Sequence, residues 1–331
     1  MANKKGFLGR EVGLGLGIEA TAGTAVVPQV FMRHLSSDFQ RAKTRIINDS
    51  AMGRVEKNND SEVVEKWAEG KIEGKVGDIT VGYMLLNMMG VVVTTTNADA
   101  STLVKDHTFD IAQLVLPPSL TIARKDPVAS RRHALGYLEQ LEFSVEKGGW
   151  VTVVATVKSK MGTTSTETVS VLVDTEFTAK HMFAKIAANV AGLGAATKIG
   201  TQTIKLTLSR PVTPYIPNGS DEPTEMDLGE WTANGELTLR YDDTTYEDLS
   251  FANTIRALQI GIINTDKTIG TAANPGLVFT APRARLSEFS LSSDLPTKVI
   301  QTVGFDCELD TVAGYLIRVV LTNLQTAYAS A

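Results

Sequence analysis

The dominant pattern along the chain is alternation. Leu141, Phe143 and Val145 alternate with Glu142, Ser144 and Glu146. Lys147-Gly148-Gly149 then supplies turn residues, and Val151, Val153, Ala155 and Val157 resume the period. Such a run predicts a β-hairpin with one buried face. The same period recurs at Val169/Val171/Val173, Ile204/Leu206/Leu208 and Leu237/Leu239/Tyr241. Helical spacing is rarer. Val81, Leu85 and Met88 lie between Asp78, a predicted N-cap, and Gly90, a predicted stop. A second helix is predicted over 246–258, with Leu249, Ile255 and Leu258 inward, and a third over the alanine-rich segment 179–191. The polar stretch 48–60 and the proline-rich, acidic stretch 211–230 read as loops.

One predicted strand has two unlike faces. Glu69, Lys71, Glu73 and Lys75 line one side, and Gly70, Ile72, Gly74 and Val76 the other. The charged side must meet water, outside a particle or in a wet channel. Glycines on the inward side leave room for another backbone.

The order of elements repeats. Trp67 precedes Asp78 by eleven residues, and Trp231 precedes Asp242 by the same eleven, which makes Asp242 a second predicted helix cap. Glu142-Phe143-Ser144-Val145 returns as Glu288-Phe289-Ser290-Leu291. Strand, polar loop, strand, helix and hairpin thus occur twice, with an insertion in the first copy between Val91 and Leu135. The alternative is one large β-sandwich with accidental similarity.

Length and composition fit that picture. At about 150 residues per domain, 331 residues make roughly two domains. With 43% apolar residues the chain can bury a core, which excludes wholesale disorder. No apolar run approaches the ~20 residues a membrane span needs; the best, Met84 to Val93, holds Asn87 and Gly90. Near the N-terminus, Lys4 and Lys5 precede an apolar stretch, but Gly13, Gly15 and Gly17 break it and Glu19 follows. That does not read as a signal peptide, and the expectation is a cytosolic product. A net charge of −5 argues against a protein that grips nucleic acid.

Candidate chemistry is sparse. Gly13-Leu14-Gly15-Leu16-Gly17 lacks the spacing of a dinucleotide loop and reads as a flexible arm. His34, His107, His133 and His181 have no partners at metal-ligand spacing, and His107 reads as a hydrogen-bonded strand residue. Asp242-Asp243 and Asp221-Glu222 lack the ordered ligand array of a calcium loop. The single cysteine, Cys307, reads as a small core residue that forms no disulfide. No catalytic, cofactor-binding or metal-binding residue is predicted, and the expectation is that the chain is not an enzyme.

Several segments carry a family resemblance. Gly17 to Pro28 (GIEATAGTAVVP) resembles the opening of tail tube proteins from long, non-contractile-tailed bacteriophages. His107-Thr-Phe109 followed by Pro118 to Ile122, Gly219 to Pro223, and Asn264-Thr-Asp266 followed by Thr268-Ile-Gly270 are similar to the same family in the same order. The resemblance implies a mainly β chain of two tandem tube domains, each a β-sandwich or split barrel with a short flanking helix. The implied divisions are an N-terminal arm over 1–30, a first tube domain over 31–174 with a long loop 45–65, and a second over 175–331 with a loop 211–230. It implies a virion protein of the siphophage tail whose copies form stacked rings. Its other implied partners are the tape measure, terminator and distal tail proteins, with double-stranded DNA passing through unbound during ejection, and no membrane. In that family the long loop and the terminal arms meet neighbouring rings.

In such a ring each domain lends about four strands to a shared barrel. Strands about 4.8 Å apart, tilted by roughly 40°, each add about 6 Å of circumference. Twenty-four strands then make a wall about 48 Å across, or about 35 Å inside the side chains, which admits a duplex roughly 20 Å wide. Six domains suffice, so three duplicated chains would close a pseudo-sixfold ring with a net negative channel wall. The charged face of Glu69, Lys71, Glu73 and Lys75 is the candidate channel face. The alternatives are another virion assembly protein (a tail terminator or capsid decoration protein), a carbohydrate-binding β-sandwich, or a hydrolase with an unrecognised site.

Overall fold

The computed structural model describes residues 6–57, 59–170, 172–295 and 298–329. Twelve strands and two helices carry the repeat. In the first half they are β1 (Gly13–Ile18), β2 (Gln40–Asn48), β3 (Asp60–Lys75), α1 (Thr80–Met89), β4 (Leu120–Lys125), β5 (Ser130–Glu146) and β6 (Thr152–Ser159). In the second half they are β7 (Met182–Ala187), β8 (Thr201–Ser209), β9 (Thr232–Arg240), α2 (Thr245–Phe251), β10 (Arg256–Ile263), β11 (Gly276–Ser292) and β12 (Ile300–Glu308).

Five antiparallel pairings of the first half recur in the second. β1 pairs β4, β4 pairs β5, β5 pairs β6, β6 pairs β3 and β3 pairs β2. Likewise β7 pairs β10, β10 pairs β11, β11 pairs β12, β12 pairs β9 and β9 pairs β8. The long strands β5 and β11 each change partner along their length, and their pairings with β6 and β12 shift register partway along, between Thr156 and Val157 for the first pair and between Leu286 and Phe289 for the second. Beyond the shift, Leu138 faces Val157, which faces Gly70; Leu286 faces Phe305, which faces Gly235. A glycine therefore occupies the same place in both halves. At Gly70, with φ +149°, an added Cβ would lie 2.5 Å from the Phe39 Cα. The bare inward side expected for this strand exists because the backbone around Phe39 lies against it.

The two halves join edge to edge. β5 pairs β8, with Leu141 opposite Leu208 and Phe143 opposite Leu206. A continuous run of eight strands results, in the order β2, β3, β6, β5, β8, β9, β12, β11. The inserted hairpin expected in the first half is Gly90–Thr96 with Lys105–Ile111. It crosses to the second half and pairs with Arg318–Asn323. There Arg318 meets Asp110 in a two-pronged ion pair at 2.8 and 3.1 Å, and Asp99 accepts from the N–H groups of Thr271, Ala272 and Ala273.

Several expectations are corrected. Gly13 to Gly17 is not a flexible arm: β1 is buried along its whole length between β4 and Val30–Met32. Its glycines leave space that Pro28 and Phe31 fill beside Gly15. Of the described residues in the expected arm, 6–12 and 19–29 lie outside strands. The predicted helix over 246–258 stops at Phe251, because Asn253 takes a left-handed conformation (φ +49°) and Arg256 to Ile263 pair into the sheet. The alanine-rich segment 179–191 makes a short 3-10 turn and then β7, since edge pairing with β10 outweighs alanine's helix preference. The loop expected over 45–65 is in part a paired hairpin, reaching Asn48 opposite Asp60, with the described residues 49–57 and 59 outside strands. The loop expected over 211–230 holds its own hairpin, Val212–Tyr215 with Glu225–Leu228. That hairpin packs Val212 and Met226 on Leu135 and Tyr137 of the first half.

Candidate functional site

Among the described residues, three histidines and the cysteine are held in structural contacts. His107 is fully buried, with Nδ1 2.9 Å from the Thr94 hydroxyl and Nε2 3.0 Å from the Asn323 side-chain oxygen. His133 lies edge-on to Phe39, and burial pulls its pKa down to about 4. His181 closes the 3-10 turn with Thr178 and reaches Asp266 at 3.1 Å. Cys307 packs against the core, and burial pushes its thiol up to about 12. Among the described residues no group of three His, Cys, Asp or Glu side chains could hold a metal ion, and no helix is long and apolar enough to cross a membrane.

What the chain builds instead is a long polar surface. On one face of the eight-stranded run lie Glu69, Lys71, Glu73 and Lys75 of β3, opposite Lys158, Thr156, Val154 and Thr152 of β6. The face continues through Glu142 and Ser144 of β5, Lys205 and Thr207 of β8, and Asn234 and Glu236 of β9. Over β5, β8, β9, β11 and β12 this face is a concave trough of about 790 Å³. Its charged lining is Glu142, Glu236, Glu288 and Asp306 against Lys205 alone, and Lys205 pairs with Glu142 at 3.2 Å. The four charged residues of β3 lie at the far end of the same face, outside this trough. There Glu73 accepts from Ser36 at 2.8 Å, and Lys75 pairs with Glu176 at 3.2 Å while lying 3.8 Å over the Trp150 ring.

The two predicted caps do other work. Asp78 lies two residues before α1, and its carboxylate accepts from the Thr175 N–H at 2.6 Å. The N–H groups that open α1 go to Asp174, from Ile79 at 2.6 Å and Thr80 at 3.2 Å. Asp78 also hydrogen-bonds Asp174, and burial followed by that contact pushes its pKa up to about 7. Asp242 is exposed and pairs with Arg240 at 2.9 Å, while Asp243 accepts from the Thr245 N–H at the start of α2. The equal Trp-to-Asp spacings therefore do not mark equivalent caps. Asp174 was not legible as a cap because it comes from a segment far along the chain.

The duplication implies similar free sheet edges, but sequence reading did not locate them. Among the described residues, β2 pairs only with β3, and Phe289 to Ser292 of β11 pair only with β12. These are the repeat equivalents of the edges that β8 and β5 join inside the chain. Exposed apolar side chains mark both ends of the run: Leu35, Ile46 and Ile47 on one, Phe251 and Leu291 on the other.

Comparison with known proteins gives the family. The family described as "Phage tail tube protein" matches residues 9–307. No curated protein matches the chain. Among solved structures, one described as "Crystal structure of Hcp protein" is similar at 12% identity over 43% of this chain and 97% of its own, with a TM-score of 0.25. The match across nearly the whole sequence identifies the chain as a member of the phage tail tube protein family, a structural virion component that assembles with itself into a stacked tube.

Proposed function

We propose that three copies of this chain close a twenty-four-stranded barrel with pseudo-sixfold symmetry, and that stacked barrels form the channel through which the genome is ejected from a siphophage tail. The observation that carries this reading is the pairing of β5 with β8, which joins the two halves of the chain edge to edge. The outer edges at β2 and β11 are their repeat equivalents and are open. A second copy added by the same contact presents the same pair of edges, and a head-to-tail contact of this kind closes by rotation. Closure also covers edges that would otherwise invite aggregation. We place the boundary between the two tube domains in the linker around Asp174.

Eight strands per chain make twenty-four in three chains, and at about 6 Å each the wall is about 48 Å across. The trough would form part of the channel wall, with the face of Glu69, Lys71, Glu73 and Lys75 beside it. Its excess of carboxylates supports passage of DNA without capture, since few cations face the phosphates to release counterions. The open ends of the tube would meet the terminator, tape measure and distal tail proteins.

Native mass spectrometry of assembly intermediates tests the stoichiometry. The smallest closed species should be three times 35.6 kDa, about 107 kDa. A six-chain closed ring with no three-chain species would overturn the proposal.

A further inference from the structure

The internal junction can be carried over to the open edges residue by residue, because both halves share register markers. Arg41 faces Ala68, two residues before Gly70, as Leu208 faces Ala233, two residues before Gly235. Phe289 faces Val303, two residues before Phe305, as Leu141 faces Ala155, two residues before Val157. Inside the chain Leu141 is opposite Leu208, and both are buried. Between copies, Phe289 therefore comes opposite Arg41, Leu291 opposite Phe39, and Ser290 opposite Gln40.

The side chains at that contact are unlike those of the internal junction. Phe289 lies at the C-terminal end of α2 beside Phe251, with ring centroids 6.5 Å apart. Phe251 is the last residue of α2 and is 79% exposed. Arg41 is exposed on the core-facing side of β2, and among the described residues no ion pair is recorded for it. The chain also contains a precedent. Arg210 directly follows β8, donates to the Asn87 carbonyl near the end of α1 at 2.9 Å, and lies 5.9 Å from the Trp231 ring. The repeat equivalent of Arg210 is Lys43, two residues beyond Arg41 and on the same side of the strand.

We infer that the C-terminal end of α2, with Phe251 and Phe289, is a seat for Arg41 and Lys43 of a second copy of this chain. The inference rests on the ring reading above. The guanidinium of Arg41 lies over the aromatic pair, where ring faces attract a cation, and Lys43 meets the carbonyls that end the helix. The contact between chains is thereby chemically distinct from the one within a chain, where two leucines meet. That difference lets the chain tell its own two junctions apart, so that a β2 edge is matched to β11 rather than to β5.

The test uses the full chain with Gln40→Cys and Ser290→Cys, whose Cβ atoms would stand about 5 Å apart across an antiparallel junction. Cys307 packs against the core and is common to parent and variants, so it does not account for a difference between them. Under oxidation this parent should form chain-to-chain disulfides. Adding Arg41→Ala or Phe251→Ala should lower the cross-linking rate at limiting protein concentration by about tenfold. The two together should lower it no further than either alone, with Arg41→Lys in between. Both side chains are exposed, so thermal melting of the unassembled chain should be unchanged. Equal cross-linking in parent and variants would overturn the seat and leave the ring standing. A parent that forms no cross-link would overturn the ring junction, and the seat with it.

Discussion

Replacing Asp78 with Asn offers a quantitative test of how the two halves are held. The Asp78 carboxyl is 5% exposed and shares a hydrogen bond with Asp174, the residue that accepts from the first N–H groups of α1. Nearby, the Asn323 amide donates to the Asp78 carbonyl at 2.6 Å, the Tyr328 hydroxyl donates to the Ile79 carbonyl at 3.0 Å, and Lys267 donates to the Thr175 hydroxyl at 2.8 Å. Burial and the neighbouring carboxylate raise its pKa from 3.8 to about 7. The folded chain therefore holds a proton that the unfolded chain releases near pH 4. This group's contribution to stability is complete below the unfolded value and is lost as the pH rises through about 7. At about 1.4 kcal/mol per pH unit, the gap amounts to at most about 4 kcal/mol. Asparagine keeps both hydrogen bonds and never ionises. Buried His133, whose pKa is lowered to about 4, contributes with the opposite sign, as do His34 and His107, so the informative quantity is the difference between the two proteins. Denaturant unfolding of unassembled chains from pH 3 to 8.5 should give equal stabilities at the acid end. At the alkaline end Asp78→Asn should lead by about 1–4 kcal/mol. Parallel curves would refute the shared-proton argument.

Other consequences follow from single contacts. Gly70→Ala must place a side chain on a backbone at φ +149° and against Phe39, so it should cost more than about 2 kcal/mol in denaturant unfolding. Gly148→Ala, in a turn with open space around it, should cost about 1 kcal/mol. Asp99→Ala removes the acceptor for three N–H groups of the 271–273 loop, and amide exchange there should speed up while exchange in β5 stays unchanged. Cys307, partly buried against the core with its thiol pushed up to about 12, should react slowly with a thiol reagent in the native chain and fully in denaturant.

The parts of the fold that were legible in the sequence are those fixed by local pattern. The β5–β6 hairpin reads directly from its alternation and its Lys147-Gly148-Gly149 turn, and the structure pairs Phe143 with Val153 as that pattern requires. The insertion in the first half was visible because the second half is shorter. What failed was decided by distant partners. Leu258 looked helical at its spacing from Leu249, yet it belongs to β10 because β7 and β11 flank it. The glycines of β1 looked flexible because nothing local reveals that Pro28 and Phe31 fill their space. Asp78 looked like a cap because Asp174 lies in a linker between the halves. The charged face of β3 was readable from period two alone. The trough and the open edges needed the order of strands in the sheet, which no single segment carries.

The central claim is that two sheet modules per chain, joined at β5 and β8, continue from copy to copy into one closed wall. End-on electron microscopy of assembled tubes measures that wall directly. The account predicts threefold symmetry with six similar modules per ring, and an opening of about 35 Å inside a wall of twenty-four strands. Rings of true sixfold symmetry with one barrel module per chain, or strands that do not pass between neighbouring copies, would contradict it.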